Sequence, residues 1–368
     1  MHLYVHVPFC RSKCAYCGFA SAPAASGDIL AYVRAVVLEM RARAHEVQGK
    51  QVKSLFLGGG TPSLLPVSSL GQILSAARSC FTWKDNAEIT LEANPDSVFI
   101  SDQVRAWQSQ GVNRISLGVQ SLNRDLLRFL GRAHTPEQAR EAVQIIRRTG
   151  MDNFGLDLIW GIPGQSLDSW LETLHEALSM QPAHLSLYNL SIEPKTPLAA
   201  LADEQDLGWP DEEIWEKMFI QGRRLLVQAG FVHYEISNFA RPGRECRHNW
   251  CIWQGEEYMG FGPSAVSTVS DVRRRNPERL SEYLQMLRDN QPLPGEEFLS
   301  PQIRDKEMII LGLRTRQGID WLKAESRVEM DLAGQLEEAG LIEFTGGRLR
   351  LTPQGMLVSN EILSRVLQ

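Results

Sequence analysis

Six short apolar stretches, each followed by an amphipathic helical pattern, alternate along the N-terminal half of the chain. Such alternation predicts a parallel sheet with helices packed on its outside. Six strand–helix units are fewer than the eight of a closed barrel, so we expect an open, partial (β/α)6 barrel of α/β class. The predicted strands are residues 3–7, 52–57, 88–92, 114–119, 154–159 and 184–190.

Polar and glycine-rich residues directly follow several of these predicted strands. Gly58-Gly59-Gly60-Thr61 follows the second strand, and Gln120 follows the fourth. Glycines allow backbone amides to approach a ligand closely because they carry no Cβ atom. Parallel sheets bind ligands at the carboxyl ends of their strands, so the sequence predicts one ligand site on that edge.

Three cysteines follow the first predicted strand with the spacing C-x3-C-x2-C. Cys10, Cys14 and Cys17 could hold three irons of a [4Fe–4S] cluster and leave the fourth iron open to a non-protein ligand. A structural zinc site, with His6 as the nearest fourth ligand, is one alternative. Three unrelated cysteines are another. The six cysteines of the chain do not resemble a disulfide framework, which indicates a reducing compartment.

Four further polar residues lie at or near predicted strand ends, namely Glu92, Gln120, Arg132 and Asp157. A carboxylate accepts hydrogen bonds from a ribose hydroxyl or an ammonium group, and an arginine binds a carboxylate with two donors. A helix cap or an ion pair is the simpler role for any one of them alone. Their shared position favours ligand binding.

The pattern changes in the last third of the chain. Short helices are predicted at 304–313, 319–325 and 330–339, then a hairpin around Thr345-Gly346-Gly347 and a final helix at 354–367. This order predicts a smaller winged-helix-like α+β domain. The predicted division is a barrel at 1–240, a connecting segment at 241–299 and the C-terminal domain at 300–368. Residues 241–263 show no clear period and are expected to form a functional loop.

The charge and hydropathy patterns narrow the function classes. A net charge of −6 and the lack of a basic recognition helix argue against nucleic-acid binding, although winged helices often bind DNA. The sequence contains no run of 18 apolar residues, so no transmembrane segment is predicted. The N-terminus lacks the features of a signal peptide. We expect a cytoplasmic protein, and peripheral association with a membrane remains open.

The cysteine spacing resembles that of the radical S-adenosylmethionine (SAM) superfamily. The segments YVHVPFC-x3-C-x-Y-C, GGGTPS, LEANPD, NRISLGVQS, GRAHTPEQA, LDLIWGIPGQ, HLSLYNLSIEP and HYEISNFA resemble the oxygen-independent coproporphyrinogen dehydrogenase family nearly end to end. The resemblance implies a radical-SAM barrel and a [4Fe–4S] cluster on the three cysteines. It also implies a SAM site lined by Tyr4, Tyr16, Phe19, Gly59, Gly60, Thr61, Glu92, Gln120, Arg132 and Asp157.

Two departures from the dehydrogenases resemble the haem chaperone branch of the family. Phe19 stands where the dehydrogenases have a further cysteine, and no N-terminal extension precedes the first predicted strand. Residues 246–253 resemble the H-N-x-x-Y-W motif of that branch, with Ile252 in place of its tyrosine. The resemblance implies haem binding by His248, and Trp250 and Trp253 could cover a porphyrin face. The expected partners are haem, haem-accepting apoproteins and a reductant such as flavodoxin or ferredoxin.

Several alternatives remain open at this point. His248 could be a core histidine among packed aromatic residues, and the haem ligand could instead be Cys251, Cys246, His233 or His184. The chain could be an enzyme of porphyrin biosynthesis that decarboxylates coproporphyrinogen III through a 5′-deoxyadenosyl radical. Whether SAM is cleaved at all is open. A third possible function, besides haem chaperone and enzyme, is that of a structural or DNA-binding protein.

Overall fold

A twelve-stranded sheet forms the body of the molecule in a computed structural model that describes residues 1–23, 26–289, 295–325 and 328–366. In chain order the strands are β1 (His2–Val7), β2 (Phe9–Cys10), β3 (Ala22–Pro23), β4 (Gln51–Gly59), β5 (Thr82–Ala93), β6 (Arg114–Gln120), β7 (Phe154–Trp160), β8 (His184–Asn189), β9 (Val232–Glu235), β10 (Asn238–Ala240), β11 (Tyr258–Phe261), β12 (Val266–Val269), β13 (Val272–Arg275), β14 (Glu297–Phe298), β15 (Ile319–Asp320), β16 (Ile342–Thr345) and β17 (Arg348–Leu351).

Helices connect these strands and cover the outside of the sheet. They are α1 (Ser26–Arg43), α2 (Val67–Cys80), α3 (Ser101–Ser109), α4 (Arg124–Phe129), α5 (Pro136–Arg148), α6 (Leu167–Ser179), α7 (Pro197–Glu204), α8 (Glu212–Gln228), α9 (Arg247–Trp253), α10 (Leu280–Arg288), α11 (Pro301–Leu313), α12 (Trp321–Ala324), α13 (Met330–Glu338), α14 (Pro353–Leu357) and α15 (Ser359–Val366).

The six predicted strands form the parallel centre of the sheet in the order β1-β4-β5-β6-β7-β8. Adjacent side chains, which point to opposite faces, are both buried: Ser54 and Leu55 on β4, and Thr90 and Leu91 on β5, have no exposed surface. Strands covered on both faces are typical of parallel sheets with outer helices. The predicted partial (β/α)6 barrel is confirmed.

Further strands extend this parallel centre at both edges. Strands β10 and β9 follow β8 at one edge. At the other edge β11 runs parallel to β1, with His2 opposite Tyr258, and β12, β13 and β14 follow it. The residues between 258 and 298 therefore complete the barrel sheet, while the predicted three-part division of the chain stays a prediction.

Two short helices lie outside the strand–helix pattern predicted from the sequence. Residues 193–208 contain α7, whose N-terminus is capped by the Thr196 side chain, which accepts a hydrogen bond from the Ala199 backbone amide. The segment 241–263, which showed no period, contains α9 and β11. Helix α9 packs on β4, and strand β11 pairs with β1. Both are short, so their stability comes from contacts with distant residues, which local periodicity does not reveal.

The C-terminal domain has its own core and a three-stranded sheet in the order β15-β17-β16. The predicted hairpin is confirmed, since β16 and β17 pair on either side of Gly346 and Gly347. The predicted helix at 319–325 is replaced at its start by β15. The predicted final helix is divided into α14 and α15, and its last predicted residue lies outside the described residues. In the described part of the chain, no helix combines the length and apolarity that crossing a bilayer requires.

Candidate functional site

A cavity of 510 Å³ opens at the carboxyl ends of the central strands. It lies where the loops after β1, β4, β5, β6 and β7 meet, as the strand-end pattern predicted. Twelve of the fourteen predicted site residues line it, and this convergence identifies it as the main candidate site. They are Cys10, Cys14, Tyr16, Cys17, Phe19, Gly59, Gly60, Thr61, Glu92, Gln120, Arg132 and Asp157.

The three loop cysteines are free thiols, each half-buried at this cavity. Thr61 Oγ1 lies 3.7 Å from Cys10 Sγ, and Arg132 Nη1 lies 3.4 Å from Cys14 Sγ. Among the described residues, their sulfur atoms do not form a group in which all ligand atoms lie within 4.8 Å of one another. A single zinc ion, with Zn–S bonds of about 2.3 Å, would draw its ligands closer together. The wider spacing suits a cluster, in which each thiolate binds a different iron.

His6, the alternative fourth zinc ligand, is engaged elsewhere. Its Nε2 lies 2.9 Å from the Ala20 carbonyl oxygen, and its Nδ1 lies 3.2 Å from the Tyr4 hydroxyl. Both ring nitrogens therefore have protein partners, and the ring helps to position the cysteine loop. The donor chemistry fits a three-thiolate cluster with one open iron.

The glycine segment at the end of β4 allows two backbones to lie against each other. A Cβ atom on Gly60 would lie 2.5 Å from the Phe9 carbonyl oxygen. Gly59 has a φ of +107°, a conformation that favours glycine, and a Cβ there would collide with the His6 ring. The segment thus positions the cysteine loop against the rim of the sheet.

Arg132 lies at the centre of a partly buried polar network on the cavity wall. Its Nη2 donates to Asn94 Oδ1 at 2.7 Å and to the Gly118 carbonyl oxygen at 2.9 Å. Asn94 Nδ2 in turn donates to Thr61 Oγ1 at 2.9 Å. The Arg132 Nε atom is buried without a protein acceptor. Asn94 was not among the predicted site residues, although its position directly after β5 was the available signal.

Two half-buried carboxyl groups lie deeper in the cavity. Glu92 Oε2 accepts a hydrogen bond from the Gly59 amide at 3.1 Å, and Ser116 Oγ lies 3.1 Å from both carboxyl oxygens of Asp157. Burial, with the nearby Asp157 charge, raises the pKa of Glu92 to about 8. Burial also raises the pKa of Asp157. A ligand that brings hydrogen-bond donors or a positive charge would stabilise the ionised form of both carboxyl groups, and SAM offers both.

Gln120 has a left-handed backbone conformation, with a φ of +64°. A non-glycine residue rarely adopts this conformation, and such strain is commonly found at functional sites. The pairing register between β6 and β7 also shifts between Gly118 and Gln120. This local irregularity places Gln120 on the cavity, where its amide can serve as both donor and acceptor.

The two remaining predicted residues, Tyr4 and His248, line a smaller cavity of 240 Å³ inside the barrel. Glu92, Ser116, Asp157 and Tyr188 line both cavities, so the two adjoin each other. Tyr4 therefore lies behind the carboxyl groups of the main cavity. His248 lies at the opposite, amino-terminal end of the strands, where α9 packs on β4.

His248 is an interior residue, with 3% of its surface exposed. Its Nδ1 lies 2.9 Å from Ser54 Oγ, and its backbone amide donates to Glu88 Oε1 at 3.2 Å. Burial lowers the pKa of His248 to about 3, so the ring is neutral. A haem is much larger than the adjoining cavity. The surroundings of His248 in this conformation therefore do not fit a haem.

The other haem-ligand candidates differ in how accessible they are. His184 and His233 are buried, with Nε2 atoms 2.8 Å from the Tyr234 hydroxyl and 3.0 Å from the Ile236 carbonyl oxygen. Cys246 has no exposed surface, whereas Cys251 is half-buried on α9. Of the candidates considered, Cys251 is the one that reaches the surface of α9.

Trp250 and Trp253, which were predicted to cover a porphyrin face, are half-buried on the same helix. Each lies near an arginine of the C-terminal domain: the Arg314 guanidinium carbon is 5.2 Å from the Trp253 ring, and that of Arg316 is 6.0 Å from the Trp250 ring. Helix α9 is therefore held between the barrel and the C-terminal domain.

Comparisons with known proteins agree with this architecture. Residues 4–177 match the family model of the radical SAM superfamily, and residues 299–358 match that of the HemN C-terminal domain. Escherichia coli HemN, described as a coproporphyrinogen III oxidase and radical SAM enzyme, has the same fold. Its TM-score is 0.86 and its identity 24%, over 100% of this chain and 89% of that one.

The sequence relatives extend over nearly the whole chain. A Synechocystis protein named "Heme chaperone HemW" is 35% identical over 98% of this chain and 95% of its own length. An Escherichia coli protein of the same name is 34% identical over 100% of this chain and 98% of its own length. The family predicted from the sequence is thereby confirmed: the chain belongs to the HemW family of radical SAM proteins.

Proposed function

We propose that this protein is a haem chaperone, which binds haem and passes it to acceptor proteins. The observation that carries the proposal is the full-length similarity to proteins named as haem chaperones. Phe19 supports it, since this cavity residue stands where the dehydrogenases of the wider family have a further cysteine.

We further propose that Cys10, Cys14 and Cys17 hold a [4Fe–4S] cluster and that the 510 Å³ cavity binds SAM. When reduced, such a cluster supplies the electron for reductive SAM cleavage. Glu92 and Asp157 would accept hydrogen bonds from donors on SAM. Arg132, whose Nε lacks a protein acceptor, could bind its carboxylate. Flavodoxin or ferredoxin is the proposed reductant, and the cytoplasm is the proposed location because it is reducing.

For haem, His248 remains the ligand that the family motif suggests, and Cys251 is the alternative. Ligation by His248 would require α9 to move from its position on the barrel, because the ring is enclosed there. Ligation by Cys251 would need a smaller rearrangement, since that thiol is half-buried.

Hemin titration of the anaerobically reconstituted protein tests the proposal. We expect a saturable shift of the Soret band with one haem per chain, and faster haem delivery to an apoprotein than from free hemin. His248→Ala and Cys251→Ser identify the ligand, and His175→Ala, which changes an exposed histidine of α6, is the matched control. Absence of saturable binding in the wild-type protein would overturn the chaperone proposal. Binding that survives in both variants would overturn only the ligand assignment.

Oxidative decarboxylation of coproporphyrinogen III is the second candidate function. The observation that favours it is the cavity itself, which retains half-buried acidic and basic groups suited to SAM beside the three thiols. An anaerobic assay of the reconstituted protein with coproporphyrinogen III, SAM and a reductant distinguishes the two. Protoporphyrinogen formed over many turnovers would replace the chaperone proposal, whereas its absence together with haem binding would support it.

A further inference from the structure

A second group of metal-ligand side chains lies at the amino-terminal ends of the strands, far along the fold from the cysteine loop. It consists of His2 at the start of β1, Cys251 on α9, and Glu256 in the segment that leads to β11. One ligand atom from each lies within 4.8 Å of the other two. Among the described residues, this is the one group of three such side chains that meets that distance.

His2 is already oriented as a metal ligand. The side chain has no exposed surface, and its Nδ1 lies 2.8 Å from Ser54 Oγ. Its other nitrogen, Nε2, points to Glu256 Oε2 at 3.2 Å. Histidines that bind metals usually donate their second ring nitrogen to an oxygen, which fixes the tautomer and the ring orientation. The Ser54 hydroxyl can play that part here.

Cys251 and Glu256 approach His2 from the other side. Both side chains are half-buried, so they combine a partly dry environment with access from solvent. Glu256 Oε2 also lies 2.5 Å from Lys53 Nζ, whose side chain is 43% exposed. The Lys53 ammonium group thus supplies the positive charge beside the Glu256 carboxylate, where a metal cation would otherwise lie. Because its stem is exposed, the side chain can turn into solvent when a cation arrives.

We propose that His2, Cys251 and Glu256 form a binding site for one thiophilic divalent cation, with Zn²⁺ as the best match. Imidazole nitrogen, thiolate and carboxylate are all zinc ligands, and three protein ligands leave a fourth, solvent-facing position for water. On binding, the Cys251 thiol releases its proton to solvent and its sulfur forms the bond to the metal. No electron transfer is involved, and modest side-chain rotations bring the ligand atoms to bonding distance.

The site joins three separate segments of the chain. A bound ion would link the start of β1 to α9 and to the segment before β11. Through Ser54, which also contacts His248 Nδ1 at 2.9 Å, it would be connected to the histidine on the inner face of α9. The ion would therefore hold α9 on the barrel. This inference does not depend on the proposed haem or SAM chemistry.

Equilibrium dialysis against Zn²⁺ tests the site. The anaerobically reconstituted protein is used, with iron and zinc measured separately so that occupied loop thiols do not contribute. We expect one zinc per chain, with affinity reduced at least tenfold by Cys251→Ser and by Glu256→Gln. Cys80→Ser, which changes a half-buried thiol on α2, should leave zinc binding unchanged. Lys53→Ala should tighten binding, because the competing ammonium group is removed.

Unchanged iron content in each variant shows that the barrel remains folded, since the loop cysteines lie at the opposite end of the strands. If the cluster does not assemble at all, the same dialysis is made with Cys10, Cys14 and Cys17 all changed to serine, which separates this proposal from the proposed function. Less than stoichiometric zinc in the wild-type protein would overturn the site. So would equal affinity in Cys251→Ser, or weaker binding in Lys53→Ala.

Discussion

The Ser54 hydroxyl lies 2.9 Å from His248 Nδ1, a contact between residues 194 positions apart in the sequence. The same oxygen lies 2.8 Å from His2 Nδ1, so one serine joins two buried imidazoles. This arrangement fixes α9 on β4 and encloses His248, the histidine proposed as a haem ligand. Access to His248 is therefore a property of how α9 packs.

Replacement of Ser54 by alanine should destabilise the protein. It leaves nitrogens of two buried rings without a partner, and an unsatisfied buried polar group costs about 1–3 kcal/mol. We expect the free energy of unfolding in urea to fall by about that amount. Ser79→Ala is the matched control, since Ser79 is exposed and its hydroxyl donates only to the Ser75 carbonyl oxygen. If the two changes lowered the free energy of unfolding equally, the hydrogen bonds of Ser54 to the two histidines would not contribute to stability.

Replacement of Arg132 by lysine should weaken SAM binding. Lysine keeps the charge but lacks the Nε donor that we propose for the SAM carboxylate. It also cannot contact Asn94, Gly118 and Cys14 at once, as the guanidinium does. Hydrogen bonds to charged groups are worth about 1.5–3 kcal/mol, which corresponds to a roughly 10- to 100-fold rise in the SAM dissociation constant. Calorimetric titration of the reconstituted protein with SAM measures this dissociation constant. Arg128→Lys is the control, because that arginine is exposed and pairs with Asp125 on the same helix.

Glu92 should make stability depend on pH. Its pKa is about 8 in the folded protein and near 4.5 when unfolded, because burial disfavours the carboxylate. The folded state therefore binds the proton more tightly, so the contribution of Glu92 is complete below about pH 4.5 and is lost as the pH rises to about 8. Urea unfolding of the ligand-free protein between pH 5 and pH 8.5 measures this loss, which we expect to be a few kcal/mol at most.

Glu92→Gln should remove that part of the pH dependence, since glutamine does not titrate and can still accept from the Gly59 amide. The control is Glu141→Gln, a change of an exposed residue on α5, which should keep the wild-type profile. A profile that stays as steep in Glu92→Gln as in the wild-type protein would assign the dependence to another group.

Replacement of Gly60 by alanine should disturb cluster assembly. The new Cβ would lie 2.5 Å from the Phe9 carbonyl oxygen, so the backbone that leads into Cys10 must shift. We expect less iron and sulfide per chain after reconstitution and a destabilisation of about 1–3 kcal/mol, as for overpacked positions. Gly334→Ala is the contrasting change: nothing lies near its Cβ position in α13, and alanine there should stabilise by about 0.5–1 kcal/mol.

Most of the central fold and of the main site could be predicted from local patterns. The strand–helix alternation predicted the six parallel strands, and the position of polar residues after strands predicted several of the side chains that meet at the larger cavity. Tyr16 and Phe19 were predicted only through the resemblance to a known family. Asn94 was missed because an asparagine before a proline is also an ordinary turn residue. The resemblance assigned Tyr4 to the SAM site, and it lines the adjoining cavity, because it lies in the middle of β1 and not at the carboxyl end of the strand.

The sequence by itself determined the parallel barrel, the cysteine loop and the glycine segment, because strand periodicity, ligand spacing and the absence of a Cβ act over a few residues. Only the tertiary structure decided where the segment 241–263 lies in the fold and which residues it contacts. Helix α9 is too short to be stable alone, so its position depends on Glu88, Ser54 and the C-terminal arginines. That packing encloses His248, leaves Cys251 half-exposed and brings it to His2 and Glu256. Contacts between such distant positions leave no local pattern in the sequence.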